Sequence, residues 1–204
     1  MCLGQPTHFA NPGLVAQVSG ALTKSRYTTA TIFVDHATDF GYLHLQRLSG
    51  AADTVEAKEA FERFASEHGV RVQHYHADNG VFSSNEWRSK CVQSGQGLTF
   101  AGVNAHHQNR RAERRIGILQ DLTRTSLSHA NRRWPTAITA NMWPYAMRMC
   151  NNAENHVPNL KYRDGRTPME AFGNTRVMTI QNTGIILLSG VRAGRRATRG
   201  CRNI

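Results

Sequence analysis

Residues 74–80 read His-Tyr-His-Ala-Asp-Asn-Gly, and residues 102–115 read Gly-Val-Asn-Ala-His-His-Gln-Asn-Arg-Arg-Ala-Glu-Arg-Arg. The first run ends a strand-like stretch at Asp78, and the second opens a helical stretch that carries Glu113. Carboxylates at a strand end and at a helix start, on neighbouring elements, suit a shared divalent cation. The pattern predicts an α/β fold with a candidate metal site at Asp78 and Glu113.

Each carboxylate also has an ordinary structural explanation. Asp78 is followed by Asn79 and Gly80, a pair suited to a tight turn. Glu113 stands at a helix start, where a negative charge gains from the helix dipole even on a plain surface. The pair is therefore stronger evidence for a metal site than either residue alone.

The surrounding sequence predicts a mixed order of strands and helices. β-Branched residues in Thr28–Val34, followed by Tyr42–Leu48, favour a β-hairpin. A capping pattern at Asp53 starts a helix that ends at Gly69. Further strands are predicted at Val70–His76 and Leu98–Val103, and further helices at Asn85–Gln93, Ala112–Ala130 and Trp134–Met149.

The charge balance favours a polyanionic partner. Lys plus Arg number 25 against 14 Asp plus Glu in 204 residues, for a formal net charge of +11. Such an excess attracts nucleic acid through counterion release. Residues 174–204 hold much of it, with several arginines and no acid, while the rest of the chain is only mildly basic.

Cysteine spacing and hydropathy exclude several classes of protein. The four cysteines are scattered, without the spacing of a zinc knuckle or a disulfide framework. His74 and His76 would share one face of a strand, but no cysteines follow at zinc-ligand spacing. No apolar run is long enough to span a membrane. We expect a soluble protein without a membrane partner, located in the nucleus or cytoplasm.

Six short motifs occur in the order found in one known family. They are Phe33-Val34-Asp35-His36, Ala77-Asp78-Asn79-Gly80, Gln108-Asn109, Ala112-Glu113-Arg114-Arg115, Trp134-Pro135 and the segment Leu160–Phe172. Together, over about Pro12 to Phe172, they resemble the integrase catalytic core of copia-type retrotransposons. The resemblance implies an RNase H-like mixed sheet of about five strands flanked by helices.

The resemblance also implies a chemistry and a set of partners. In the family, three acids hold two metal ions, Mg²⁺ or Mn²⁺, for 3′-end processing of element DNA and strand transfer into target DNA. Asp78 matches the second acid and Glu113 the third, and the family works as multimers, which implies a homo-oligomer. The candidate nucleic-acid-binding residues are Lys24, Arg26, Asn79, Gln108, Asn109, Arg110, Arg111, Arg114 and Arg115; for the arginines, a solvated basic face is the alternative.

Three features depart from the family pattern. The first 34 residues contain no Asp or Glu, and Leu3-Gly4-Gln5 holds the place of the first acid. Asp35 and Asp39 are the nearest substitutes, although Asp35 ends the second strand and would have to reorient. Arg110 replaces the glycine that commonly follows Gln-Asn, and residues 174–204 do not resemble the family. We expect the integrase activity to be impaired or lost.

We expect three segments: a truncated or irregular stretch at 1–11, a core-like domain at 12–172, and a basic tail at 173–204 that is disordered or frame-shifted. Two other functions stay open. One is a noncatalytic nucleic-acid-binding remnant of a retroelement polyprotein. The other is an RNase H-type nuclease, which the signature from Gln108 to Arg115 disfavours.

Overall fold

One mixed β-sheet with helices packed on both faces forms the centre of the computed structural model of the chain. The structure describes residues 2–3, 7–8, 25–77, 80–101, 110–159 and 165–173. The strands are β1 (Cys2–Leu3), β2 (Thr7–His8), β3 (Thr29–Val34), β4 (Gly41–Gln46), β5 (His74–Ala77) and β6 (Gly97–Phe100). The helices are α1 (Ala51–Glu67), α2 (Asn85–Gln93), α3 (Arg110–Arg133), α4 (Trp143–His156) and α5 (Pro168–Gly173).

The strand β3 organises the sheet. It pairs antiparallel with β4 along its whole length, which confirms the predicted hairpin. On its other side it pairs antiparallel with both β1 and β2. β1 also pairs in parallel with β5, and β5 in parallel with β6. Residues 1–11 are therefore not irregular throughout, because two pieces of this segment belong to the sheet.

The residues of β3 are buried on both faces, as expected for a central strand. Phe33 packs into one apolar cluster with α1, α2 and α5, and its ring stacks on Phe61 with centroids 4.8 Å apart. Ile32 faces a second cluster, with Leu119 of α3 and Met147 of α4. Burial of each large apolar side chain contributes roughly 1.5–3 kcal/mol. The two clusters hold the two helix layers against the sheet.

The helix starts and ends follow local sequence signals only in part. α1 ends as predicted, because Gly69 adopts a positive φ of 70° and its N–H bonds to Ser66 O. Its start was predicted wrongly at Asp53: the helix begins at Ala51, and Gly50 is the N-cap without a side-chain hydrogen bond. α2 spans the predicted residues, with the Ser84 side chain accepting a hydrogen bond from Trp87 N.

Two further boundaries differ from the prediction. β5 starts at His74 rather than Val70, because Val70 N–H bonds back to Ala65 O at the end of α1. The apolar run from Trp134 forms a turn first, and α4 begins at Trp143 with Pro144 in its first turn, where the missing N–H is tolerated. No helix among the described residues is long and apolar enough to cross a membrane.

Candidate metal and nucleic-acid site

Glu113 lies in the first turn of α3 and is exposed. Its carboxylate makes no hydrogen bond or ion pair with any other residue in the described part of the chain. α3 contacts β1 and β3, and β1 pairs in parallel with β5. Asp78 follows directly after Ala77, the last residue of β5, and is itself outside the described residues. The elements that carry the two acids are thus separated by one strand, β1.

β1 lies in the sheet between β3 and β5. Cys2 of β1 pairs with His76 of β5 in a parallel register. Gly4 and Asp78 are both outside the described residues. The sequence around Gly4 offers no carboxylate.

The two nearest carboxylates are both used in the turn between β3 and β4. Asp35 Oδ2 accepts hydrogen bonds from Thr38 N at 3.0 Å and from Thr38 Oγ1 at 2.6 Å. Asp39 Oδ1 lies 3.0 Å from Arg111 Nη1, and Asp39 Oδ2 accepts from Asn159 at 3.3 Å. Asp35 would have to leave these partners to act as a metal ligand, and β1 separates its strand from β5.

The side chains that the structure describes do not by themselves form a two-metal site. Asp78 and Glu113 supply oxygen ligands, which Mg²⁺ and Mn²⁺ prefer. Within the described ranges, no group of three His, Cys, Asp or Glu side chains comes together in a way that could hold a metal. Asp78 lies outside those ranges, and residues 1–34 contain no Asp or Glu that could match the first acid of the family pattern.

The arginines at the start of α3 point in different directions. Arg114 is exposed and pairs with no other described residue. Arg111 turns back to the β3–β4 turn, where its Nη1 donates to the carbonyl oxygen of His36 and to Asp39 Oδ1. Arg26, at a φ of 56° before β3, is exposed as well. Arg26 and Arg114 therefore present their guanidinium groups to solvent.

Arg115 lies inside the protein, with 9% of its surface exposed. Its Nη2 donates to Asn155 Oδ1 at 2.7 Å and to Asn151 Oδ1 at 3.2 Å, and its Nη1 lies 3.7 Å from Glu154 Oε2. Burial lowers the pKa of the guanidinium, while the charges of Glu154 and Asp39 oppose that shift. This position gives no support to the phosphate contact predicted for Arg115.

The remaining candidates lie outside what the structure describes. For Arg110 the backbone opens α3, but the side chain is not described. The others outside the described residues are Lys24, Asn79, Gln108 and Asn109. Their roles stay predictions.

Sequence reasoning missed Asn151 and Asn155, which lie one turn apart on α4. Both are buried, and both donate through Nδ2 to Gly41 O at 2.8 Å. The only hint in the sequence is two amides at i and i+4 in an apolar helix, which is too common to identify a partner.

His74 and His76 face the same side of β5, as predicted. His74 Nε2 lies 2.8 Å and His76 Nδ1 lies 3.0 Å from the same hydroxyl, Thr99 Oγ1. Both imidazole rings therefore have a hydrogen-bond partner in the neighbouring strand β6.

Comparison with known proteins finds the same architecture in retroviral integrases. The HTLV-2 integrase catalytic core domain in complex with magnesium, in its trimeric form, has a TM-score of 0.53 and 19% identity over 83% of this chain and 93% of that chain. Its dimeric form has a TM-score of 0.52 and 18% identity over 84% and 94%. No family model and no curated protein matches the sequence.

A larger assembly contains the same fold. A chain of the simian T-cell lymphotropic virus intasome in complex with PP2A regulatory subunit B56 gamma has a TM-score of 0.59 and 18% identity. The match covers 89% of this chain and 57% of that chain, so the present chain spans little more than half of its length. The chain thus has the mixed α/β fold that these integrase structures share.

Proposed function

We propose that the chain is the catalytic-core-like domain of a copia-type retrotransposon integrase, a DNA-integration domain by descent, in which the metal site is incomplete. The observation that carries this proposal is the placement of Glu113. It is an exposed carboxylate at the start of α3 that pairs with no other described residue, and one strand separates α3 from the strand that Asp78 follows. In the family pattern, Asp78 and Glu113 are the second and third acids.

The N-terminal strands and the sequence around them support the second part of the proposal, that the metal site is incomplete. β1 and β2 lie in the sheet beside β3, and residues 1–34 hold no Asp or Glu, which supports the absence of a first acid. Metal ions in such sites activate a hydroxyl and stabilise charge on phosphate. With two of three ligands, affinity for Mg²⁺ or Mn²⁺ falls, and the unmodified chain is expected to bind DNA without cutting it.

The proposed partner is DNA, at the ends of the element and at the target. A net charge of +11 and the exposed guanidinium groups of Arg26 and Arg114 support a polyanionic partner. The similar solved chains come from an intasome and from trimeric and dimeric core domains, which supports a homo-oligomer. A nuclear or cytoplasmic location belongs to the same proposal, because the partner is DNA.

A noncatalytic nucleic-acid-binding role is the second candidate. The missing acid favours it, together with the engagement of Asp35 and Asp39 in the β3–β4 turn. In a working enzyme Glu113 would be required for catalysis, whereas in a noncatalytic DNA-binding protein it would not be required. Removing that negative charge from a DNA-binding surface leaves the affinity for DNA unchanged or slightly higher.

The test measures DNA affinity and DNA cutting with the unmodified chain and with Glu113→Gln. The probes are a blunt DNA duplex and a supercoiled plasmid, in Mg²⁺ and in Mn²⁺. We expect both proteins to bind DNA, with a salt-dependent affinity, and neither to nick the plasmid. Nicking by the unmodified chain that disappears in Glu113→Gln would show that another group completes the site. Absence of DNA binding would refute both candidate functions.

A further inference from the structure

A buried polar cluster joins α3, α4 and the start of β4. We call Arg115, Asn151, Asn155 and Gly41 the arginine–amide cluster. The Arg115 guanidinium donates to both amide oxygens, and both amide nitrogens donate to Gly41 O. Gly41 N in turn donates to Asn155 Oδ1 at 2.9 Å. The cluster therefore ties one side chain of α3 to a helix and a strand at once.

The cluster requires a glycine at its centre. A Cβ at position 41 would lie 2.9 Å from Nε and Nη2 of Arg115 and 3.0 Å from Oδ1 of Asn151. The close approach of the backbone leaves room for the guanidinium only when residue 41 has no side chain. The position of Arg115 is thus set by packing as well as by hydrogen bonds.

Arg111 forms a second tether on the same side of α3. It lies one turn before Arg115 and reaches Asp39 and the carbonyl of His36. Residues at i and i+4 share a helix face, so both arginines hold the same face against the β3–β4 hairpin. Glu113 lies between them in sequence and is exposed. Arg111 and Arg115 therefore hold the first turns of α3 on the face opposite to Glu113.

We propose that Arg115 is a positioning residue: through Asn151 and Asn155 it fixes the first turns of α3, and with them the place of Glu113, and it does not contact nucleic acid. The link to Glu113 chemistry rests on the proposed integrase function. The tether itself does not. Arg114 is the matched control, because it is the same residue type in the same turn and is exposed.

Hydrogen exchange tests the tether. The first amides of a helix lack intrahelical partners, so the informative ones are those of Arg114 to Ile118. In Arg115→Met we expect these amides to exchange at least about tenfold faster than in Arg114→Met, with exchange in α1 unchanged. Asn155→Leu, which removes the nearer of the two amide acceptors on α4, should raise the exchange of the same amides. Equal exchange in Arg115→Met and Arg114→Met, or a uniform rise over α1 and α3, would overturn the proposal.

The salt dependence of DNA binding tests the second part of the proposal, that Arg115 does not contact nucleic acid. One lost phosphate contact reduces the slope of log affinity against log salt by about 0.9. Arg115→Met should keep the slope of the unmodified chain, and a slope lower by that amount would overturn the proposal. If Arg115→Met does not fold, Arg115→Lys carries the exchange comparison, because it keeps the charge but loses the planar pair of donors. Arg115→Gln then carries the salt comparison, because it removes the charge. Absence of DNA binding in every variant would refute the proposed function, while the exchange result would still decide the tether.

Discussion

Replacing Gly41 by alanine perturbs the arginine–amide cluster at its centre. The added methyl group would meet two guanidinium nitrogens at 2.9 Å, and real Cβ atoms essentially never approach other heavy atoms more closely than about 3 Å. Arg115 is held by two amide oxygens and is nearly fully buried, so it cannot swing into solvent without breaking both hydrogen bonds. We expect Gly41→Ala to destabilise the protein.

The magnitude follows from two contributions. Overpacking of a filled interior costs about 1–3 kcal/mol. A shift of the guanidinium weakens hydrogen bonds that involve a charged donor, each of which is worth about 1.5–3 kcal/mol. Because the shift weakens these bonds without removing them, the expected loss is about 2–4 kcal/mol. At roughly 2–4 °C per kcal/mol for a chain of this size, the melting temperature should fall by about 4–16 °C.

Gly117→Ala is the matched control, because it makes the same substitution in α3. A Cβ there would have no neighbouring atom within 4 Å among the described residues. Alanine favours the helix over glycine by roughly 0.5–1 kcal/mol, so this variant should gain stability. The assay is urea unfolding and thermal melting followed by circular dichroism at the helix band. A Gly41→Ala protein as stable as the unmodified chain would refute the description of the cluster.

Three further outcomes test other parts of the fold. Phe33→Ala should lose about 3–5 kcal/mol of unfolding free energy in urea, since the side chain is fully buried against α1, and a loss near zero would contradict this packing. Glu62→Gln should lose about 3 kcal/mol of unfolding free energy, because Glu62 Oε1 pairs at 2.8 Å with the buried Lys58. In a double-mutant cycle, adding Lys58→Met should recover most of this loss, because no buried charge is then left unpaired. Burial lowers the pKa of His44 below its usual 6.5, so the unfolded state binds a proton on His44 before the folded state does as the pH falls. The free energy of unfolding should therefore decrease from about pH 7 downward. In His44→Gln this decrease should be absent from the curve of unfolding free energy against pH.

The elements that local sequence controls were the ones that the sequence predicted well. The hairpin of β3 and β4, the helix α2 and the stop of α1 at Gly69 are each encoded by neighbouring residues: β-branched density, a serine cap and a glycine with positive φ. β1 and β2 have two residues each, so no local propensity reveals them. Their pairing with β3 is a contact between distant parts of the chain.

The sequence predicted which residues stand near the candidate site, but not which way their side chains point. The sequence identifies Glu113 and the arginines around it at the start of a helix. It does not show that Arg115 turns inward and Arg111 turns back to the β3–β4 turn, while Arg114 and Glu113 turn outward. That choice depends on partners far along the chain, because Asn151 and Asn155 follow Arg115 by 36 and 40 residues. Helix periodicity alone separates the faces without telling which one is buried.

The central claim is that the chain holds an integrase scaffold that lacks one metal ligand. The most direct measurement is a strand-transfer assay with Mn²⁺, a blunt DNA duplex and a supercoiled plasmid target. It compares the unmodified chain, Gly4→Asp, Gln5→Asp and Gly4→Asp combined with Glu113→Gln. Gln5→Asp is the matched control, because it adds the same carboxylate one position further along the chain.

We predict no strand transfer by the unmodified chain, transfer by Gly4→Asp, and its loss when Glu113→Gln is added. Gly4 is the middle residue of the Leu3-Gly4-Gln5 stretch that holds the place of the first acid in the family pattern. Strand transfer by the unmodified chain would contradict the claim that a ligand is missing. Silence of both Asp variants, with DNA binding retained, would contradict the claim of an otherwise intact scaffold.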